Sequence, residues 1–159
     1  MDNNGRTRII FLCHGNICRS PMAEFVMKDL LSKAGRSSDF EISSAAVSDE
    51  ETGNDIYPPA KRMLHSMGIP FSYHEAHKIT SSEYMDSDIV IIMDESNRRL
   101  LRWILGNGAD FSKVHLLMEY AGQKRSVADP WYTGDFRKAY DDILKGCKGL
   151  CGSLGIETP

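Results

Sequence analysis

A cysteine and an arginine, separated by five residues, stand at the two ends of one short loop, Cys13-His14-Gly15-Asn16-Ile17-Cys18-Arg19. Their chemistries are complementary. A thiolate is a strong nucleophile, and a planar guanidinium binds two phosphate oxygens at once. A loop that enters a helix carries backbone N–H groups without intrahelical partners, and these point at an anion. Successive N–H groups in a tight turn form a concave nest that suits phosphate. Gly15 and Asn16 tolerate the backbone angles that such a turn requires. The pattern predicts a phosphate held by Arg19 and by the backbone N–H groups of His14, Gly15, Asn16, Ile17 and Cys18. That phosphate would face Cys13 for in-line attack on phosphorus, with Ser20 placed to donate a hydrogen bond to the sulfur. Cys-x5-Arg alone is a weak pattern. An apolar run before it and the helix-opening Ser20-Pro21 after it carry the weight.

These residues need a frame. Thr7–Leu12 is nearly continuous in apolar character and reads as a parallel strand buried on both faces. Arg19–Lys33 reads as a helix, with Phe25, Val26, Leu30 and Leu31 at helical spacing and Gly35 as its stop. Phe40–Ala46 is a second strand, followed by a polar loop over 48–55. Pro58-Pro59 opens a helix with Ala60, Met63, Leu64 and Met67 on one face, closed by Gly68-Ile69-Pro70. A short strand or extended piece follows over Phe71–His74, then a helical turn over Ser81–Tyr84. Asp88–Met93 is the clearest strand. Asp94-Glu95-Ser96-Asn97 starts a helix with acidic residues in its first turn, and nothing in that segment alone marks it as part of a site. Lys113–Met118 reads as the last strand and Asp135–Leu150 as the last helix, which Gly146 and Gly149 weaken. Strands alternating with helices predict a three-layer α/β fold, a central parallel sheet with helices on both faces. Ligands in such sheets sit beyond the carboxyl ends of the strands, where Cys13 falls. Residues 1–159 read as one domain, with 1–5 as a loose tail.

Composition narrows the classes. The chain is 42% hydrophobic and 26% charged, ordinary for a soluble globular protein. A net charge of -3 gives no reason to expect nucleic acid or an anionic membrane as partner. No window reaches a membrane-spanning length, and the first five residues do not resemble a signal peptide. The four cysteines fall into two close pairs, Cys13 with Cys18 and Cys147 with Cys151, which fits a reducing, cytoplasmic setting better than a disulfide scaffold. Cys147 and Cys151 have no histidine or further cysteine nearby, so they read as packed or surface thiols, and neither a metal nor another cofactor is expected. The basic pairs Arg98-Arg99 and Lys124-Arg125 read as solvated faces, and the second of these could also help to draw in an anionic substrate.

Cys13-His14-Gly15-Asn16-Ile17-Cys18-Arg19-Ser20, continued by Pro21-Met22-Ala23-Glu24, resembles the signature loop of the low-molecular-weight protein tyrosine phosphatases, in wording closest to the bacterial branch. Asp129-Pro130-Trp131-Tyr132 resembles the family's acid loop, and Met93-Asp94-Glu95-Ser96-Asn97 a further landmark. The resemblance implies a four-stranded parallel sheet with the phosphate loop after the first strand. It implies Cys13 as nucleophile, Arg19 as the phosphoryl-binding cation and Asp129 as general acid and then general base. That role fits the chemistry, because a phenol leaves far better than a phenolate. Trp131 and Tyr132 would wall the cleft against an aromatic ring. Loop support would come from Asn16, Ser20, Ser44 and His74, although on its own a histidine such as His74 reads more readily as a packed or surface residue.

Two departures stand out. Glu50, in the acidic run Asp49-Glu50-Glu51, takes a cleft position where many relatives have Trp, and His77 stands where they often have Arg. Both bear on substrate preference. Cys18 matches the family's second loop cysteine, either a redox partner that shields Cys13 through a disulfide or a packed small residue. The implied substrate is a phosphotyrosine-bearing protein or a small aryl phosphate, with inorganic phosphate released. A thioredoxin-coupled arsenate reductase on the same scaffold would need further cysteines in mid-chain, and none occurs between Cys18 and Cys147. A non-enzymatic phosphocarrier would not need Asp129. Some relatives that prefer phosphoarginine have Thr in place of Ile17, so Ile17 with the two aromatics favours an aryl phosphate.

Overall fold

The first strand, β1 (Thr7–Cys13), runs through the middle of the molecule and explains its own sequence. The structure is a computed structural model describing residue 2 and residues 4–159. Successive side chains of β1 point to opposite faces, and both faces are covered. Ile9, Phe11 and Cys13 pack into one apolar cluster with Met22 and Val26 of α1 (Arg19–Lys33), Leu64 of α2 (Pro58–Ser66) and Ile143 and Cys147 of α6 (Phe136–Ser153). Ile10 and Leu12 pack into the other, with Tyr84 of α3 (Ser81–Asp86) and Leu101 of α4 (Glu95–Leu105). A strand buried on both sides cannot alternate with polar residues, hence the unbroken Ile-Ile-Phe-Leu run.

β1 pairs in parallel with β2 (Phe40–Ala46) and β3 (Ile89–Ile92), and β3 pairs in parallel with β4 (Val114–Leu116), giving the order β2-β1-β3-β4. This is the predicted α/β architecture. Register sets the site: Cys13 lies level with Ala46, and Leu12 with Ile92. The loops after β1, β2 and β3 therefore leave the sheet together at one edge.

Three segments differ from the expectation. Phe71–His74 pairs with no strand, and the nearby contact is a single bridge between Ala46 and Lys78. The last strand ends at Leu116, where the chain tightens into a 3₁₀ turn over Leu117–Ala121. α6 continues past Leu150 to Ser153 in spite of its glycines. The reason is close packing. A Cβ on Gly149 would lie 1.9 Å from the Tyr120 carbonyl oxygen, and one on Gly146 would lie 2.4 Å from Leu117 Cγ. Only glycines let α6 rest directly on the 3₁₀ turn, and that contact outweighs their poor helix propensity. Cys147 and Cys151 are fully buried core thiols.

Arg125 is partly exposed, as expected of a surface charge, but it is also tied down. Its guanidinium binds Asp142 of α6 through two hydrogen bonds of 2.9 and 2.8 Å. Of the residues read as a loose tail, Met1 and Asn3 lie outside the described residues. Asp2 accepts hydrogen bonds from the Arg6 backbone and side chain at 2.9 and 2.7 Å.

The glycines of α6 give a paired prediction. Gly149→Ala places a methyl against backbone and should lower stability by at least ~2 kcal/mol. Gly152→Ala, with open space around the new Cβ, should be neutral or stabilise by about 0.5–1 kcal/mol. Urea denaturation of the two variants reads the difference, and equal effects would contradict the close-packing argument.

Candidate active site

The phosphate loop turns on Asn16, whose φ of 61° makes it the one non-glycine residue in the left-handed region among the described residues. Its side chain holds that conformation. Nδ2 donates to Ser20 Oγ at 2.8 Å and to Ser44 Oγ at 3.0 Å, and Oδ1 accepts the His77 backbone N–H at 3.3 Å. The Asn16 carbonyl accepts from His74 Nε2 at 2.8 Å, which places the imidazole proton on Nε2. Ser44 passes the chain on, donating to Glu24 Oε1 at 2.6 Å, and Lys28 donates to the other Glu24 oxygen at 2.6 Å. Ser44 and His74 thus lie behind the loop. Glu24 was given no role in the sequence, where its signals were its place at the end of the signature-like run and its i, i+4 spacing to Lys28 on α1.

Cys13 is buried at the bottom of the loop with two hydrogen-bond partners on its sulfur. The Asn16 N–H lies 3.3 Å from Sγ and Ser20 Oγ lies 3.0 Å from it. Ser20 Oγ accepts from Asn16 Nδ2 and is also in hydrogen-bond contact with the sulfur.

Arg19 closes the loop with its side chain only 3% exposed. Nη1 donates to Asp94 Oδ2 at 2.8 Å and to the Val127 carbonyl at 2.9 Å, and Nη2 lies 3.3 Å from Asp129 Oδ2. Fixing Nη1 from behind leaves the Nε–Nη2 edge as the fork for an anion. Burial works against the guanidinium charge, but Cys13, Asp129 and Asp94 outweigh it and hold its pKa above the ordinary value. Asp94 corrects the sequence reading: it caps α4 through the Asn97 N–H and also binds the site's arginine. Burial pushes its carboxyl up, yet Ser96, Arg19 and Asn97 hold it below the usual carboxylate range.

Asp129 is the N-cap of α5 (Pro130–Thr133), a single helical turn, and its Oδ1 accepts the Trp131 N–H at 3.0 Å. Its capping role and its place in the site coexist, since Oδ2 faces Arg19. Trp131 and Tyr132 stand half and 85% exposed beside it. Together with Cys13, His14, Gly15, Ile17, Cys18, Arg19, Glu50 and Glu51 they line one cleft of about 140 Å³. Glu50 sits on its rim, Oε2 3.0 Å from His14 Nε2, and Glu51 packs over Gly15. Cys18 is a buried free thiol packed with Ile17 and Ala76. Burial, then the negative charges of Cys13 and Asp129, push its pKa up. His77 lies outside the cleft lining and pairs with Glu83 at 2.8 Å. Among the described residues no three His, Cys, Asp or Glu side chains gather into a cation site.

The arrangement offers a nucleophilic sulfur, a cationic fork and a carboxyl group around a space fit for one phosphoryl group. Comparison with known proteins points the same way. The profile of a family described as low molecular weight phosphotyrosine protein phosphatase matches residues 8–158. The low molecular weight protein-tyrosine-phosphatase YfkJ of Bacillus subtilis is 33% identical over 151 residues, covering 94% of this chain and 96% of its own. The human low molecular weight phosphotyrosine protein phosphatase is 37% identical over 146 residues, with 89% and 92% covered. The crystal structure of YfkJ superposes with a TM-score of 0.90 at 31% identity over 97% of this chain and 98% of that one. A match that starts inside β1 and runs through α6 takes in both loops of the cleft, and the chain belongs to the low-molecular-weight protein tyrosine phosphatase family.

Proposed function

We propose that the chain hydrolyses aryl phosphate monoesters, phosphotyrosine above all, through a phosphocysteine intermediate and without a metal. The observation that carries this reading is the convergence on one cleft of Cys13 with two hydrogen-bond partners on its sulfur, Arg19 tethered from behind, and Asp129 beside the aromatic wall.

The steps follow from the geometry. The phosphate seats on the loop N–H groups and the Arg19 fork, displacing the Asp129 contact. Cys13 sulfur attacks phosphorus and the bond to the aryl oxygen breaks. Protonated Asp129 gives its proton to that oxygen, so a neutral phenol departs. Water then attacks phosphocysteine, Asp129 takes the water's proton, and the P–S bond breaks to release inorganic phosphate. The Ser20 hydroxyl stabilises the departing thiolate. Loop N–H groups and Arg19 hold the equatorial oxygens throughout. Trp131 and Tyr132 give an aromatic ring a surface to lie on, which supports an aryl substrate. The chain acts here as one phosphatase domain. Free, core-packed Cys147 and Cys151 support a reducing compartment, which we read as the cytoplasm.

Hydrolysis of para-nitrophenyl phosphate in chelator tests the reading. Wild type turns over, Cys13→Ser is inactive, and Asp129→Asn is slowed by roughly 10²–10⁴. Binding of phosphate without turnover would instead make the cleft a carrier or binding site. Asp94→Asn tests the tether on Arg19. Asparagine is as good a helix cap as aspartate, so α4 should remain. Loss of the charge that fixes Nη1 should lower kcat/KM about tenfold. An unchanged kcat/KM would show that Val127 alone positions the guanidinium.

A further inference from the structure

Tyr57 is absent from the walls of the cleft, yet it touches both loops on which the proposed chemistry depends. Its backbone N–H donates to the Ile17 carbonyl of the phosphate loop at 2.9 Å. Its ring packs on Trp131, centroids 4.8 Å apart at 53°, and on Phe136, 6.0 Å apart at 31°. Beneath it lie Ile17 and Cys18 of the phosphate loop with Ala76, a small apolar cluster that Tyr57 and Phe136 cover together.

The Tyr57 backbone is firmly fixed. A residue before proline is restricted to extended backbone, and Tyr57 precedes Pro58 with φ -58° and ψ 133°. Its carbonyl accepts the N–H groups of Ala60 and Lys61 at 2.9 and 3.1 Å. The ring therefore projects from a frame locked to the phosphate loop. The acid loop has no such frame of its own. α5 is four residues long, too short to be stable by itself, and Tyr132 beside Trp131 is almost wholly exposed. Trp131 in turn holds the carboxyl, because its N–H donates to Asp129 Oδ1 at 3.0 Å.

We propose that Tyr57 is a positioning residue for proton transfer: its ring fixes Trp131, and through the Trp131 N–H it sets the Asp129 carboxyl relative to Cys13. The phosphate loop thereby carries a ruler for the acid loop. The inference rests on Asp129 being the general acid, and its test separates the two ideas.

The test compares kcat/KM for phenyl phosphate, whose leaving group needs a proton, with that for 2,4-dinitrophenyl phosphate, whose leaving group does not. The variants are Tyr57→Ala, Tyr57→Phe, Asp129→Asn and the Tyr57→Ala/Asp129→Asn double. Tyr57→Ala should lower the phenyl phosphate value about tenfold and the dinitrophenyl value less than about twofold. Tyr57→Phe, which keeps the ring, should match wild type. In the Asp129→Asn background Tyr57→Ala should cost nothing further on phenyl phosphate. If Tyr57→Ala does not fold by circular dichroism, Tyr57→Leu carries the test, since it keeps apolar cover over Ile17 and Cys18 without a ring. Equal losses on both substrates in a folded variant, no loss on either, failure of Tyr57→Phe to match wild type, or a full additional loss in the Asp129→Asn background would overturn the proposal. Asp129→Asn alone leaving phenyl phosphate hydrolysis intact would overturn the reading of Asp129, whatever Tyr57 does.

Discussion

The site depends first on one residue held where its type rarely goes. Left-handed backbone costs a non-glycine residue about 1–2 kcal/mol, and Asn16 bears it at φ 61°. What offsets the cost is a side chain with both ends occupied, giving two hydrogen bonds to Ser20 and Ser44 and taking one from the His77 backbone. Glycine would adopt the angle freely but would take away the amide that donates to Ser20 and Ser44. The same amide thus shapes the loop and ties it to Ser20, which contacts the Cys13 sulfur. The relay does not end there: it runs through Ser44 to Glu24 on α1, so the helix that begins at Arg19 also braces the loop behind it.

A second constraint comes from burying a cation. Arg19 is almost fully out of water, which is tolerable only with compensating charge and saturated hydrogen bonds. Asp94 and the Val127 carbonyl supply both on one nitrogen. Those partners come from the ends of different strands and loops, and the parallel register brings them together. Asp94 follows β3, whose Ile92 lies level with Leu12 one residue before the nucleophile. A slip of one residue in that pairing would separate Asp94 from Arg19 and turn every β3 side chain to the wrong face. Packing in the core and charge balance in the site therefore enforce the same register.

These constraints explain what the sequence disclosed. The Cys13–Arg19 loop, the strand before it and the helix after it were legible because each is local: a continuous apolar run, a turn residue, a proline at a helix start. Ser44, His74 and Glu50 came only through family likeness, since nothing in their own neighbourhoods marks them. Asp94 was misread because its visible task, capping α4, accounts fully for an aspartate at that position, and its second partner is 75 residues away. The partner of Arg125 was hidden in the same way, Asp142 lying 17 residues on. The length of α6 was underestimated because glycine propensity is a local rule, while the close packing of Tyr120 on Gly149, which leaves no room for a Cβ, is a tertiary fact. Phe71–His74 pairs with no strand, and whether a partner strand is at hand is something a one-dimensional pattern does not reveal.

The acid loop shows how little of the molecule needs to move. Val127 is pinned on both sides, its N–H donating to the Met93 carbonyl at 2.9 Å and its carbonyl accepting from Arg19. Just upstream, Arg125 is clamped to Asp142 on α6. Just downstream, Trp131 is packed on Tyr57. Between these anchors only Ala128, Asp129 and Pro130 remain, and Pro130 fixes its own φ. The segment between these anchors is thus short. Asp129 meets Arg19 at 3.3 Å, longer than the 2.8 Å contact of Asp94 with the same guanidinium. An arriving phosphate would therefore displace the weaker partner and leave the stronger tether in place. In the mechanism proposed above, that exchange frees the Asp129 carboxyl for the leaving oxygen, while the anchors on either side of it stay in place.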